Sequence, residues 1–89
     1  MDKALKHRGY IYFLLAEKTD CVKIGFTRTT MERRLKLHTQ YSPYDYDVLK
    51  VIEGTMLQER NLHKRFIRLK IRGEWFKYSD ELKDYIESL

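Results

Sequence analysis

A single cysteine in 89 residues, Cys21, excludes an intramolecular disulfide and any zinc site built from several thiolates. A reducing compartment suits such a chain. No apolar run approaches the roughly 18 residues of a membrane span, and the opening MDKALKHRG lacks the apolar core of a signal peptide. The expectation is a soluble, intracellular protein, cytoplasmic or nuclear, with no membrane partner. Internal repeats, low-complexity tracts and linkers are also missing, and 89 residues suffice for one core and not two. Residues 1–89 therefore read as one domain.

What the chain has in excess is positive charge. Eighteen Lys and Arg stand against 13 Asp and Glu, a net charge of +5. Residues 1–78 hold 17 of the bases and 9 of the acids, so this part carries +8 before the acidic end from Ser79. Such a balance favours a polyanionic partner.

The stretch GYIYFLLAEKTDCVKIG, Gly9 to Gly25, has the form of a β-hairpin: two apolar runs rich in β-branched and aromatic residues, joined by a polar turn at Glu17 to Asp20. Antiparallel pairing across that turn sets Leu14 beside Lys23 and Tyr12 beside Gly25. Period two then places Ile11, Phe13, Leu15, Val22, Ile24 and Phe26 on one apolar face. Tyr10, Tyr12, Lys23 and Gly25 fall on the other, where the bare backbone of Gly25 predicts an open approach to Tyr12.

Further along, Thr29 and Glu32 have capping-box spacing and predict a helix with Met31, Leu35 and His38 on one face, Arg34 beside them, and Arg33 and Lys36 outward. Tyr41-Ser42-Pro43 ends it. Tyr46 to Glu53 predicts a third strand closed by Gly54. Thr55 and Gln58 open a helix from about Met56 to Leu69, with Leu62, Phe66 and Leu69 as its apolar stripe and Glu59 four residues before His63. Gly73-Glu74-Trp75-Phe76 reads as a turn followed by two aromatics that plug the core or support a site. Ser79 is placed to cap a last helix, with Leu82, Tyr85, Ile86 and Leu89 on its buried side. The fold class is α/β (α+β): a small antiparallel three-stranded sheet flanked by helices, with a short extra strand as an option.

These residues resemble the GIY-YIG nuclease superfamily over most of the chain, and most closely its compact phage and viral branch. Tyr10-Ile11-Tyr12 corresponds to the first signature tripeptide and Lys23-Ile24-Gly25 to the second, eleven positions on from Tyr12. Arg34, then His38 one turn later, then Glu59 and GEWF follow in the family's order. Two positions depart from the pattern, Tyr10 standing for glycine and Lys23 for tyrosine.

The resemblance implies a divalent-metal-dependent endonuclease hydrolysing DNA phosphodiester bonds. Tyr12 would be the base, with Lys23 on its face favouring phenolate. Arg34 would clamp the phosphate, His38 would position water or phosphate, and Tyr10 belongs to the same signature. Glu59 would hold one Mg²⁺ or Mn²⁺ per active site. A zinc site from Glu59 and His63 lacks a further obvious ligand. Arg28, Arg33, Lys36, His63, Lys64, Arg65 and Arg68 are candidates for phosphate contacts. DNA is the expected partner, with RNA left open; such a domain would nick loosely, recognise a DNA structure, dimerise as a homodimer, or depend on a separate protein for specificity. Phenol, guanidinium and carboxylate are expected to converge on one concave spot. Two other readings stand beside this one: a nucleic-acid-binding module of the same fold that does not cut, and a protein-interaction domain.

Overall fold

A computed structural model describes residues 3–40 and 42–89. After a 3-10 turn at Lys3–Lys6 come β1 (Arg8–Ala16), β2 (Cys21–Thr27), α1 (Met31–Gln40), β3 (Tyr46–Thr55) and α2 (Met56–Arg65). A second 3-10 turn at Ile67–Leu69 leads to β4 (Lys70–Arg72), β5 (Trp75–Lys77) and α3 (Asp80–Glu87). All five strands form one antiparallel sheet in the order β3-β1-β2-β5-β4. The α+β class is as expected, but the sheet has five strands and not three. The two added strands have three residues each, too short to show a period of two in the sequence.

The hairpin forms in the predicted register, Leu14 opposite Lys23 and Tyr12 opposite Gly25. At its turn Lys18 takes a left-handed backbone (φ 65°), and the Thr19 hydroxyl donates to the Ala16 carbonyl at 2.6 Å. The β1–β3 ladder shifts register between Phe13 and Leu14: Lys50 faces Phe13 and Val48 faces Leu14, so Leu49 is the extra residue of a bulge. This explains the broken alternation of VLKVI, because Leu49 reaches the core from that irregular position.

Ile11, Phe13, Val22 and Ile24 form the core face, covered by Leu62 and Phe66 at the end of α2, by Phe76, and by Leu82 and Ile86 of α3. Phe13, Phe66 and Phe76 are sealed from solvent. Burying each such ring contributes roughly 1.5–3 kcal/mol. α2 starts as predicted, with a complete Thr55–Gln58 capping box, but stops at Arg65 before the 3-10 turn. α1 begins one residue later than the Thr29 spacing implies. Thr30 is its cap, the hydroxyl accepting from the Arg33 amide, while the Thr29 hydroxyl bonds Thr27. Ser79 precedes α3 but makes no side-chain cap, and its hydroxyl is buried without a partner. Of the predicted stop at Tyr41-Ser42-Pro43, Tyr41 lies outside the described residues.

Candidate functional site

The face of β1 opposite the core carries Tyr12 and Leu14, both fully buried, and α1 lies on that side. Gly25 is not the open approach that the sequence suggests. The Tyr12 phenol itself fills the space above it, and a Cβ there would overlap the ring. Tyr12 is 0 % exposed, so period two gave its face correctly but not its cover.

Two side chains of α1 hold the phenol. Arg34 Nε donates to Tyr12 Oη at 3.4 Å, and Tyr12 Oη lies 3.2 Å from His38 Nε2. Lys23 Nζ, which can only donate, is 3.4 Å from the same imidazole nitrogen. With Lys23 as donor, Nε2 is the accepting nitrogen of a neutral ring, and its one lone pair is shared between Lys23 and the Tyr12 hydroxyl. Burial, and then the charges of Lys23 and Arg34, hold the His38 pKa below its ordinary 6.5. Lys23 Nζ lies over the Tyr12 ring, 6.0 Å from its centroid, and reaches the imidazole nitrogen at 3.4 Å. Behind His38, Tyr46 meets its ring edge-on at 5.9 Å and stacks on Trp75.

The carboxylates enter from the other side of the sheet. α2 packs on the core face, yet Glu59 and His63 reach around the edge of β2, which pairs with β5 only over Cys21–Lys23. Beyond that point the Ile24 amide donates to the Glu74 carbonyl, and His63 Nε2 donates to the Ile24 carbonyl at 2.8 Å. The same nitrogen is 3.1 Å from Glu59 Oε1. Glu59, 6 % exposed, has its pKa raised by burial; His63 pulls it down and the Glu74 carboxylate pushes it up. Glu74 in turn bridges to Lys23 Nζ at 3.4 Å.

Lys23 and Glu74 thus join two half-sites, a phenol–imidazole–guanidinium group on one face and a carboxylate group at the strand edge. This replaces the single concave spot expected from the sequence. Glu59, His63 and Glu74 have ligand atoms all within 4.8 Å of one another, so Glu74, a candidate second acidic group from the sequence, does stand beside Glu59. A carbonyl only accepts, so His63 Nε2 carries a proton. That nitrogen orients Glu59 and is not free for a cation or a phosphate.

The remaining candidates are dispersed. Tyr10 is partly exposed and lines an open depression with Arg8, Arg28 and Glu53, apart from the Tyr12 group. Arg28 bonds His7 Nδ1 at 3.3 Å. Arg33 and Lys36 are exposed on the outer side of α1, and Lys64 is exposed on α2. Arg65 lies over the Phe66 and Tyr85 rings, and Arg68 pairs with Glu81 of α3. The sequence reading did not place Tyr46 at the site. Nothing in its spacing marked it, since the bulge lies between it and the regular part of β3.

Fold and site together define a small α+β domain with a histidine-centred cationic group beside a carboxylate pair. The chain belongs to the T5orf172 domain family, whose model matches residues 9–89. This is a small phage-related domain found in nuclease-associated proteins, and membership points to a nuclease-like or DNA-binding role. No curated protein and no solved structure matches the chain significantly. Among the described residues, no helix is long and apolar enough to cross a membrane.

Proposed function

We propose that this domain is a divalent-metal-dependent DNA endonuclease of GIY-YIG type. The observation that carries the reading is the run of polar contacts from Arg34 through Tyr12, His38 and Lys23 to Glu74, whose carboxylate lies within 4.8 Å of that of Glu59. Hydrolysis needs a base for the attacking water, counter-charge for the phosphate, and help for the departing oxygen. Tyr12 and His38 act as one base. As the phenol oxygen takes the proton of water, its own proton passes to His38 Nε2, and the Arg34 N–H holds that oxygen in place. The water oxygen bonds phosphorus as the phosphorus–oxygen bond of the strand breaks. Lys23 offers the ammonium positioned to face the phosphate, and the Arg34 fork suits its non-bridging oxygens.

Glu59 and Glu74 provide hard oxygen donors that fit Mg²⁺ or Mn²⁺, with His63 fixing Glu59 from behind. Such an ion, when bound, supplies Lewis-acid polarisation of the phosphate. The buried carboxylate of Glu59, raised in pKa and close to a second carboxylate, is an environment that a cation relieves.

Supercoiled plasmid incubated with Mg²⁺ or Mn²⁺ tests the reading. The parent should nick, and Tyr12→Phe or Glu59→Ala should slow nicking by about 10²-fold or more. No nicking by the parent, or nicking that survives Glu59→Ala, overturns it. A second reading, a module that binds nucleic acid without cutting, is favoured by the complete burial of Tyr12. It predicts binding with no nicking, whereas a protein-interaction domain predicts negligible DNA affinity.

A further inference from the structure

Beside the polar centre lies a cleft that the chemistry above does not use. It has a volume of about 470 Å³ and is walled by Tyr44, Tyr46 and Trp75, with Ile71, Arg72 and Cys21 around them. Two apolar side chains at this cleft are left to solvent, Tyr44 at 53 % and Ile71 at 55 % exposure. The deeper rings are fixed in place. The Tyr46 hydroxyl donates to Ser42 Oγ at 2.6 Å, its ring meets His38, and it lies near parallel to Trp75, with centroids 6.2 Å apart and planes at 29°. Rigid, partly wet aromatic walls suit a flat, polarisable guest.

The charge of the cleft narrows the guest further. Among the described residues no acidic group lines it, and Arg72 is its one charged side chain. Through Tyr46 it is continuous with His38, and so with Lys23 and Arg34, the groups placed to receive a phosphate. A nucleotide joins those two chemistries within one unit, a planar base next to an anionic linkage.

We infer that the Tyr44–Tyr46–Trp75 cleft is a stacking site for one unpaired nucleobase of the strand whose phosphate lies at Lys23, Arg34 and His38. The inference rests on the nuclease reading for what that phosphate undergoes, but not for binding. Stacking on aromatic faces is tolerant of base identity. A duplex must be unstacked before it presents a base there, at a cost of a few kcal/mol for a paired position and less at a mismatch or an already single strand. The domain would therefore select strands by local unpairing.

Trp75 is the only tryptophan in the chain and serves as the reporter. The intact chain, with no divalent cation added, is titrated with a short oligothymidylate and with an abasic strand of equal length, following Trp75 fluorescence. Oligothymidylate should quench Trp75 and the abasic strand should not. Tyr44→Ala, at an exposed position outside the core, should weaken oligothymidylate binding by about 5- to 150-fold while Tyr44→Phe retains it.

Equal binding of the abasic strand, or unchanged affinity in Tyr44→Ala, overturns the inference. So does quenching by a proline-rich peptide with none by the oligonucleotide, which would assign the cleft to a protein partner. Quenching without any plasmid nicking would sink the nuclease reading and leave the stacking site standing. Nicking without quenching would do the reverse.

Discussion

At the residue scale, Gly25 and His38 decide how the buried phenol behaves. The Tyr12 ring occupies the volume a side chain at position 25 would need, and the pairing of Gly25 with Tyr12 in the β1–β2 ladder limits relaxation. Gly25→Ala should destabilise the fold by roughly 1–3 kcal/mol, read as a lower urea midpoint at unchanged slope. For His38, a pKa depressed in the folded state means that the unfolded chain binds the proton more readily. Its contribution to stability is fully present above its unfolded value of 6.5 and is lost as pH falls through 6.5 toward the lowered folded value. Glu59, raised in the folded state, works in the opposite sense above its ordinary 4.5, so the comparison must be differential. The gap in urea midpoint between the parent and His38→Gln should narrow on acidification from about pH 7 to about pH 5. If nicking uses the neutral imidazole, kcat/KM should hold to below pH 6.5 before it declines.

At the element scale, α1 stands apart from the other helices. It carries Arg34 and His38 yet has no buried residue, whereas α2 buries Glu59 and Leu62, and α3 buries Leu82 and Ile86. Few apolar contacts mean a small free energy of local opening. Amides of α1 should exchange with solvent hydrogen well before those of α2 and β1, checked by native-state exchange. The elements differ in how openly the sequence declares them. The β1–β2 register follows from a clean alternation on either side of a polar turn, and α2 from a capping box and an i, i+4 stripe. β4 and β5 are set by tertiary pairing to Lys23 and Phe76, which three-residue strands cannot encode locally. The cover over Tyr12 was hidden for a related reason: alternation assigns a face, while the α1 side chains that close over it lie 22 and 26 residues further on.

At the scale of the whole molecule, the positive charge is distributed unequally between free and engaged groups. Arg33 and Lys36 are exposed on α1, near the polar centre, whereas Arg65 covers aromatic rings and Arg68 pairs with Glu81 at 3.2 Å, both against α3. If phosphate contacts drive DNA binding, the logarithm of affinity should fall linearly with the logarithm of salt concentration. Arg33→Ala and Lys36→Ala should each reduce that slope by about 0.9. Arg68→Ala should leave it unchanged, and filter binding across a salt series checks both. The site was legible from its residue types, Tyr12, Arg34, His38 and Glu59. Its division across the two faces was not, because only the early end of β2–β5 pairing lets Glu59 come around the strand.

β3 closes one margin of the sheet, and among the described residues no strand lies beyond it. Its ten residues turn a row of amides and carbonyls toward water, a border long enough to seat an incoming ribbon. Asp47, Lys50 and Glu53 alternate in sign along it. Charges of both signs spaced along an open margin guard it against indiscriminate pairing with a further strand.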